Sequence, residues 1–218
     1  MALDQINVGI IGTGWCGGIR AESCADNPLI DQLHIAEINP QRLEEIAKAT
    51  GAATATSEYQ RIVEHGDIDA VIISATPETT HYPIAKESLL AGKHVFLEKP
   101  IALSLEEADD LIAIAKQKKV KFTIGYSQRF NPKYAYVKKC IEEGTIGEPV
   151  SALVSRHITR ALGKKITGRI KLSPASMEAT HDLDFVLWCL APARPIRVYA
   201  QAVAKVMIKD VNASDCMW

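Results

Sequence analysis

No apolar stretch in the 218-residue chain reaches the length needed to cross a bilayer, so no membrane-spanning helix is expected. Neither charge is in excess: 25 Lys and Arg stand against 26 Asp and Glu, a formal net charge of −1. That balance gives no case for a nucleic-acid or membrane partner. Paired cysteines are missing too. Cys16, Cys24, Cys140, Cys189 and Cys216 are scattered, odd in number and form no C-x-x-C pair. A disulfide framework and a zinc site are therefore disfavoured, and no metal is expected. Met1-Ala2-Leu3-Asp4 carries no basic region, apolar signal core or twin arginine, which leads to the expectation of a cytoplasmic protein. Repeats and low-complexity segments are absent. Apolar residues, by contrast, make up 47% of the chain, ample for a packed core.

The most informative stretch is Ile6-Asn-Val-Gly-Ile-Ile-Gly12-Thr-Gly14-Trp15-Cys16-Gly17. Gly12 permits a tight strand-to-helix turn, Gly14 lets backbone approach a pyrophosphate, and Gly17 lets the next helix pack closely. The helix N-terminus then offers N–H groups and a positive dipole end to phosphates. A lone G-x-G-x-x-G is weak evidence, but its surroundings agree. An apolar run precedes it, a helical segment follows, and a second short strand ends at Glu37. That acid lies 20 residues after Gly17, the spacing of a carboxylate that holds an adenosine ribose. Trp15 and Cys16 lie inside the turn and count among the cofactor contacts. Cys16 near a helix N-terminus could have a lowered pKa, although a packing role is the favoured reading.

Strands and helices alternate up to residue 125. Strands are expected at Ile6–Gly12, Leu33–Glu37, Ala70–Ala75, His94–Leu97 and Lys121–Gly125. Helices are expected at Trp15–Asn27, Pro40–Thr50, Ser57–His65, Thr79–Ala91 and Leu105–Lys118. Pro40 suits a first helical turn, Gly51 and Gly92 suit helix ends, and Ser104 with Glu107 forms a capping box. Continuous apolar strands such as Val71-Ile72-Ile73 fit a parallel sheet covered on both faces. The class is α/β: a doubly wound parallel sheet over residues 1–125 with its ligand crevice at the carboxyl ends of the strands.

Over residues 126–218 the rhythm changes. A helix over 131–143, a strand over Val150–Thr159, a helix from about Pro174 to Leu190 and a strand over Arg197–Ile208 suggest an α+β substrate domain. So few strands make a poor closed domain, which leads to the expectation that this part is incomplete and the chain truncated.

Two further segments carry chemistry. Glu98-Lys99-Pro100 follows a strand on the cofactor side, where a lysine can hydrogen-bond a substrate oxygen and help move a proton. Pro100 constrains the backbone at Lys99 and can aim its side chain. Taken alone, a Lys-Pro loop is more often a solvated turn. Farther on, His181, Asp184 and Trp188 share a helical face. His suits proton exchange near neutral pH, and an acid one turn away could fix its tautomer. Taken alone, such a pair is usually a cap or a surface pair.

Together these segments resemble the glucose–fructose oxidoreductase, inositol dehydrogenase and rhizopine-catabolism (Gfo/Idh/MocA) family. The resemblance rests on Gly12-x-Gly14-x-x-Gly17, Ala75-Thr76-Pro77 with His81, Ala91-Gly-Lys-His-Val95, Glu98-Lys99-Pro100, Arg129-Phe-Asn-Pro132, Gly144-x-Ile-Gly147 and His181-Asp182-x-Asp184. It runs from about residue 6 to residue 190. It implies a two-domain, nicotinamide-dependent oxidoreductase with an N-terminal Rossmann domain, acting on a sugar, sugar derivative or cyclic polyol. By the resemblance, Lys99 and His181 are the catalytic pair. Thr76, Pro77, His81, Glu98 and Lys99 line the dinucleotide with the glycine turn and Glu37. Lys99, Arg129, Arg156, Asp182 and His181 face the substrate. Association into a homo-oligomer is expected if the second domain is complete. Two departures stand out: Met177 and Ala179 occupy positions where many members have Asp and Gly.

Glu37 favours the free ribose of NAD over NADP, and Arg42 on the next helix is weak evidence for NADP. Between Glu148 and Glu178 lie Arg156, Arg160, Lys164, Lys165, Arg169 and Lys171 with no acid. This stretch could bind an anionic sugar, or be a solvated loop or oligomer contact. Two alternatives to a dehydrogenase are an NAD-retaining hydrolase or epimerase-type enzyme on the same scaffold and a non-catalytic dinucleotide sensor. Retention of Lys99 and His181 argues against the sensor.

Overall fold

The computed structural model describes residues 5–159, 161–162, 177–205 and 216–217. Two compact units divide the chain, Met1–Gly125 and Tyr126–Trp218.

In the first unit six parallel strands form one sheet in the order β3-β2-β1-β4-β5-β6. They are β1 (Ile6–Ile11), β2 (Ile30–Ala36), β3 (Thr54–Thr56), β4 (Ala70–Ile73), β5 (His94–Leu97) and β6 (Phe122–Ile124). The order reverses at β1, which lies between β2 and β4, with Ile10 beside Ile35 on one side and Ile72 on the other. Such a reversal opens a crevice at the carboxyl ends of the strands. Helices cover both faces. Beneath α1 (Trp15–Ala25) and α2 (Pro40–Thr50), Val8, Ile10, Leu33 and Ile35 pack with Ala21 and Ile46. On the other face Ile11, Val71, Ile73, Val95 and Leu97 pack with residues of α3 (Tyr59–Glu64), α4 (His81–Leu90) and α5 (Leu105–Lys118). Burial on both faces is the reason the strands read as continuous apolar runs. Each fully buried Ile or Leu contributes about 1.5–3 kcal/mol relative to exposure.

Local chemistry sets the helix ends. Asn39 caps α2 by accepting from Arg42 N at 3.1 Å, and Gly51 closes it at φ 63°. Ser104 caps α5 by accepting from Glu107 N at 3.2 Å. A 3₁₀ turn, Glu78–Thr80, replaces the expected first turn of α4. The sequence reading missed β3. It is a three-residue edge strand of alternating Thr and Ala, without the apolar run that marked the others.

The second unit opens with a 3₁₀ turn, Ser127–Phe130, followed by α6 (Pro132–Glu142), capped by Asn131 accepting from Lys133 N at 3.0 Å. Farther along the chain α7 (Thr180–Leu190) packs on α6 through Tyr134 and Phe185, ring centroids 4.7 Å apart. Residues 177 and 178 are helical, and a turn at Ala179 separates them from α7. Ala202–Val203 (β7) pairs antiparallel with Cys216–Met217 (β8).

Two expectations are corrected here. Residues 150–159 form no strand, and the strand expected over Arg197–Ile208 is reduced to β7, its last three positions lying outside the described residues. Alternation alone makes no strand, because a ladder partner must satisfy the backbone. No partner flanks residues 150–159 among the described residues, and Val150 and Leu153 stand exposed. The first residues of the helix expected from Pro174 also lie outside the described part. Among the described residues no helix is long and apolar enough to cross a membrane.

Candidate active site

The glycine turn joins β1 to α1 at the reversal of the sheet. Gly12 has φ +82°, and a β-carbon there would stand 2.6 Å from Ala75 Cα, on the backbone after β4. A β-carbon at Gly17 would stand 2.0 Å from Gly12 O, so helix and turn can pack only through glycine. Gly14 differs: among the described residues the space beside it is open, with nothing within 4 Å of a built β-carbon. It is also the N-cap of α1, and among the described residues no side chain caps the helix there. The first N–H groups of α1 therefore face an open surface with the positive end of the helix dipole, which suits a pyrophosphate. Trp15 and Cys16 are exposed beside it, so the packing role expected for Cys16 does not hold.

Glu37, at the end of β2, is buried at 9% exposure. Its Oε2 accepts from Thr13 N at 2.7 Å and Thr13 Oγ1 at 2.9 Å, and its Oε1 accepts from Asn39 N at 2.9 Å. Burial pushes the Glu37 carboxyl up, but the Asn39 and Thr13 hydrogen bonds and the Arg42 charge outweigh it and hold the pKa below the ordinary value. A buried anion thus sits just past the carboxyl end of β2. Arg42 reaches this network from the first turn of α2, its Nε donating to Thr13 O. The sequence places Arg42 near Glu37 on the next helix but does not show this contact, and it marks Thr13 only as the residue between two glycines. The Gly12-x-Gly14 pattern itself marked Thr13; the reach of Arg42 depended on where α2 packs.

Thr76 and Pro77 are exposed after β4, and Lys99 is half-buried after β5, all at the carboxyl ends of their strands. Two residues expected to line the dinucleotide have their polar atoms engaged within the protein. His81 is 1% exposed, with Nδ1 2.7 Å from Pro100 O and Nε2 3.1 Å from Ala75 O, so it braces the loops after β4 and β5. Glu98 pairs through Oε1 with Arg20, and its Oε2 accepts from Lys99 N at 3.1 Å. Arg20 also donates to Ser74 Oγ at 3.0 Å. No local pattern marked Arg20, since its partners lie 54 and 78 residues away in sequence.

In the second unit, His181 lies in the first turn of α7, its ring edge-on to Tyr126 with centroids 6.1 Å apart. Asp184, the acid one turn from His181, forms a bidentate pair with Arg129. Arg129 Nε and Nη2 donate to Asp184 Oδ2 and Oδ1 at 2.7 and 2.6 Å, with the guanidinium carbon 5.5 Å from the Trp188 ring. Arg156 makes a second bidentate pair with Asp182, its Nη2 bond measuring 2.8 Å. The Arg156 hydrogen bonds hold the Asp182 carboxyl below its ordinary pKa. With its amide oriented to satisfy both neighbours, Gln128 donates to His181 O at 3.0 Å and accepts from Arg156 at 2.8 Å. Arg129, Arg156 and Asp182, expected to face substrate, take part in pairs that tie α7 to the segments before it. Guanidinium and carboxylate match as planar forks, and that complementarity wins over solvent. Met177, in place of the family's Asp, is 2% exposed. Of the basic stretch, Arg160, Lys164, Lys165, Arg169 and Lys171 lie outside the described residues. Among the described residues no group of three metal-ligating side chains could hold an ion.

Comparison with known proteins agrees with the fold. Residues 6–126 match the model of the oxidoreductase family with an NAD-binding Rossmann fold (GFO_IDH_MocA). Levoglucosan dehydrogenase of Pseudarthrobacter phenanthrenivorans is 34% identical over 157 residues, 68% of this chain and 40% of that protein. Inositol 2-dehydrogenase of Rhizobium meliloti is 34% identical over 143 residues, 66% of this chain and 42% of that protein. The crystal structure of scyllo-inositol dehydrogenase from Lactobacillus casei with bound NAD(H) and scyllo-inositol aligns with TM-score 0.82 at 25% identity, over 98% of this chain and 65% of that one. The chain spans about half the length, or less, of the curated relatives it matches. With the sheet order, the glycine turn and the match over 6–126 in agreement, this chain belongs to the GFO_IDH_MocA family of NAD-binding Rossmann oxidoreductases.

Proposed function

We propose that this chain carries the dinucleotide site and part of the substrate site of a dehydrogenase acting on a secondary alcohol of a cyclic polyol or sugar. The observation that carries the reading is the uncapped N-terminus of α1, open at Gly14 and locked to the Glu37 carboxylate through Thr13. The residues present suit a dinucleotide: N–H groups for the pyrophosphate and an anion for ribose hydroxyls. When bound, the nicotinamide supplies a hydride acceptor. Lys99 then hydrogen-bonds the reacting oxygen, and His181 takes or gives its proton. Relatives named as inositol and levoglucosan dehydrogenases support the substrate class.

NAD is the preferred cofactor in this reading, because the buried Glu37 anion repels a 2′-phosphate. Relatives named for NAD and for NADP both occur, and Arg42 is the residue that would offset Glu37 for NADP. The substrate is neutral or anionic according to whether the basic stretch reaches it. If the second domain is complete, exposed apolar side chains such as Val150, Leu153 and Ile196 favour a homo-oligomer, which sedimentation would detect. The setting is cytoplasmic, in keeping with Cys24, Cys140 and Cys189 outside any disulfide.

The test is titration of the purified chain with NAD and NADP, followed through tryptophan fluorescence. A turnover screen over myo-inositol, scyllo-inositol, glucose, levoglucosan and glucuronate follows. Saturable NAD binding that weakens in Glu37→Ala is expected. Lys99→Met should lose turnover and keep NAD affinity. A folded chain that binds neither nucleotide overturns the reading.

A further inference from the structure

We propose that Arg20 is a positioning residue for Lys99, acting through Glu98 and joining the helix of the dinucleotide turn to the loop that carries the lysine. The inference rests on the reading of Lys99 as the residue beside the nicotinamide.

Arg20 stands on α1, three residues past Gly17. Its guanidinium makes three different contacts at the carboxyl ends of two neighbouring strands. One amine donates to Ser74 Oγ, just after β4, at 3.0 Å. The other pairs with Glu98 Oε1, just after β5. The plane also lies over the Phe96 ring of β5, its central carbon 4.7 Å from the ring centroid. Glu98 uses its second oxygen, Oε2, to accept from the backbone N–H of Lys99 at 3.1 Å. A continuous chain of contacts thus runs from α1 through Arg20 and both oxygens of Glu98 to the Lys99 backbone.

The site is confined. The side chains of Arg20 and Glu98 are 20% and 13% exposed. A β-carbon on Gly125, just after β6, would stand 3.1 Å from Glu98 Oε1, 3.3 Å from Arg20 Nη2 and 3.3 Å from Phe96. Glycine at 125 leaves room for the pair and closes it from the third side. Arginine suits the position because its planar fork serves two acceptors and stacks on an aromatic ring at once; lysine is a single point charge. Removing Arg20 leaves the Glu98 carboxylate part-buried without its cation, a strong drive for it to rotate toward water. Rotation would break the Oε2 contact that holds the Lys99 backbone. Misplacement of a catalytic group by about 1 Å is enough to cost orders of magnitude in rate.

Trace acetylation of lysines with acetic anhydride, read by peptide mass spectrometry, tests this in the full chain. Lys99 labelling is compared with and without saturating NAD in wild type, Arg20→Met and Glu98→Gln, with the exposed Lys116 and Lys118 as internal standards. Wild type should show NAD protection of Lys99. Both variants should lose that protection, and Arg20→Met should still bind NAD by tryptophan fluorescence, because Arg20 has no place in the phosphate site. Arg20→Lys should recover it in part. If Arg20→Met does not fold by circular dichroism, the near-isosteric Glu98→Gln decides the question. Protection present in wild type and kept in the variants overturns the role of Arg20 alone. No protection in NAD-bound wild type overturns the placement of Lys99, and the inference with it.

Discussion

Gly14 and Gly17 separate what the fold needs from what the ligand needs. At Gly17 a methyl group would meet Gly12 O at 2.0 Å, so Gly17→Ala should cost on the order of 3 kcal/mol in urea denaturation. At Gly14 the space is open and φ is −53°, so Gly14→Ala should change stability by only about 0.5 kcal/mol. NAD affinity should nevertheless fall, because the added methyl intrudes where the pyrophosphate approaches. Calorimetric titration of both variants checks the contrast. His34 provides a pH prediction. It is 2% exposed on β2, its ring tilted 44° to that of His65 with centroids 4.9 Å apart, and among the described residues neither ring nitrogen has a hydrogen-bond partner. Burial, and then the neighbouring His65, hold its pKa below the ordinary value, with Asp67 opposing. The fold therefore prefers neutral His34. As pH falls below about 6.5 the unfolded chain takes up a proton that the folded chain resists, so stability drops on acidification and is fully present above that range. Denaturation midpoints between pH 7 and pH 5 should show a smaller drop in His34→Phe than in wild type.

Helices were legible where the chain writes its own boundaries. Pro40–Thr50 and Leu105–Lys118 form as expected because Asn39, Pro40, Gly51 and Ser104 act locally. Ser104→Ala should cost about 1 kcal/mol by thermal denaturation, the usual effect of losing an N-cap. The alternation over residues 150–159 and 197–205 predicted strands that do not form beyond β7, since pairing depends on a partner far along the chain. The segment carrying His181 was readable as a helix, but its tethering was not. Arg129–Asp184 spans 55 residues and Arg156–Asp182 spans 26. A double-mutant cycle on Arg129 and Asp184 should give a coupling of about 1 kcal/mol, the upper end for partly exposed pairs, because the contact is bidentate.

The first unit contains both hydrophobic clusters of the described core. A fragment ending at Gly125 should therefore fold cooperatively and bind NAD. Circular dichroism melting with and without NAD checks this: a higher midpoint with ligand is expected, by linkage. The glycine spacing, the strand–helix rhythm and the acid after the second strand were all written in the sequence, because each follows from backbone geometry over a few residues. Those features determined the α/β class and the dinucleotide turn, while Lys99 and His181 became candidates through the Glu98-Lys99-Pro100 and His181-Asp182-x-Asp184 motifs and the family resemblance. Tertiary structure alone decided which side chains meet. It placed Thr13 and Arg42 on the Glu37 network, turned His81 into a brace, engaged Arg129 and Arg156 with aspartates, and brought Arg20 to Glu98. Such contacts join residues dozens of positions apart, and only the packing of helices against the sheet brings them within hydrogen-bond reach.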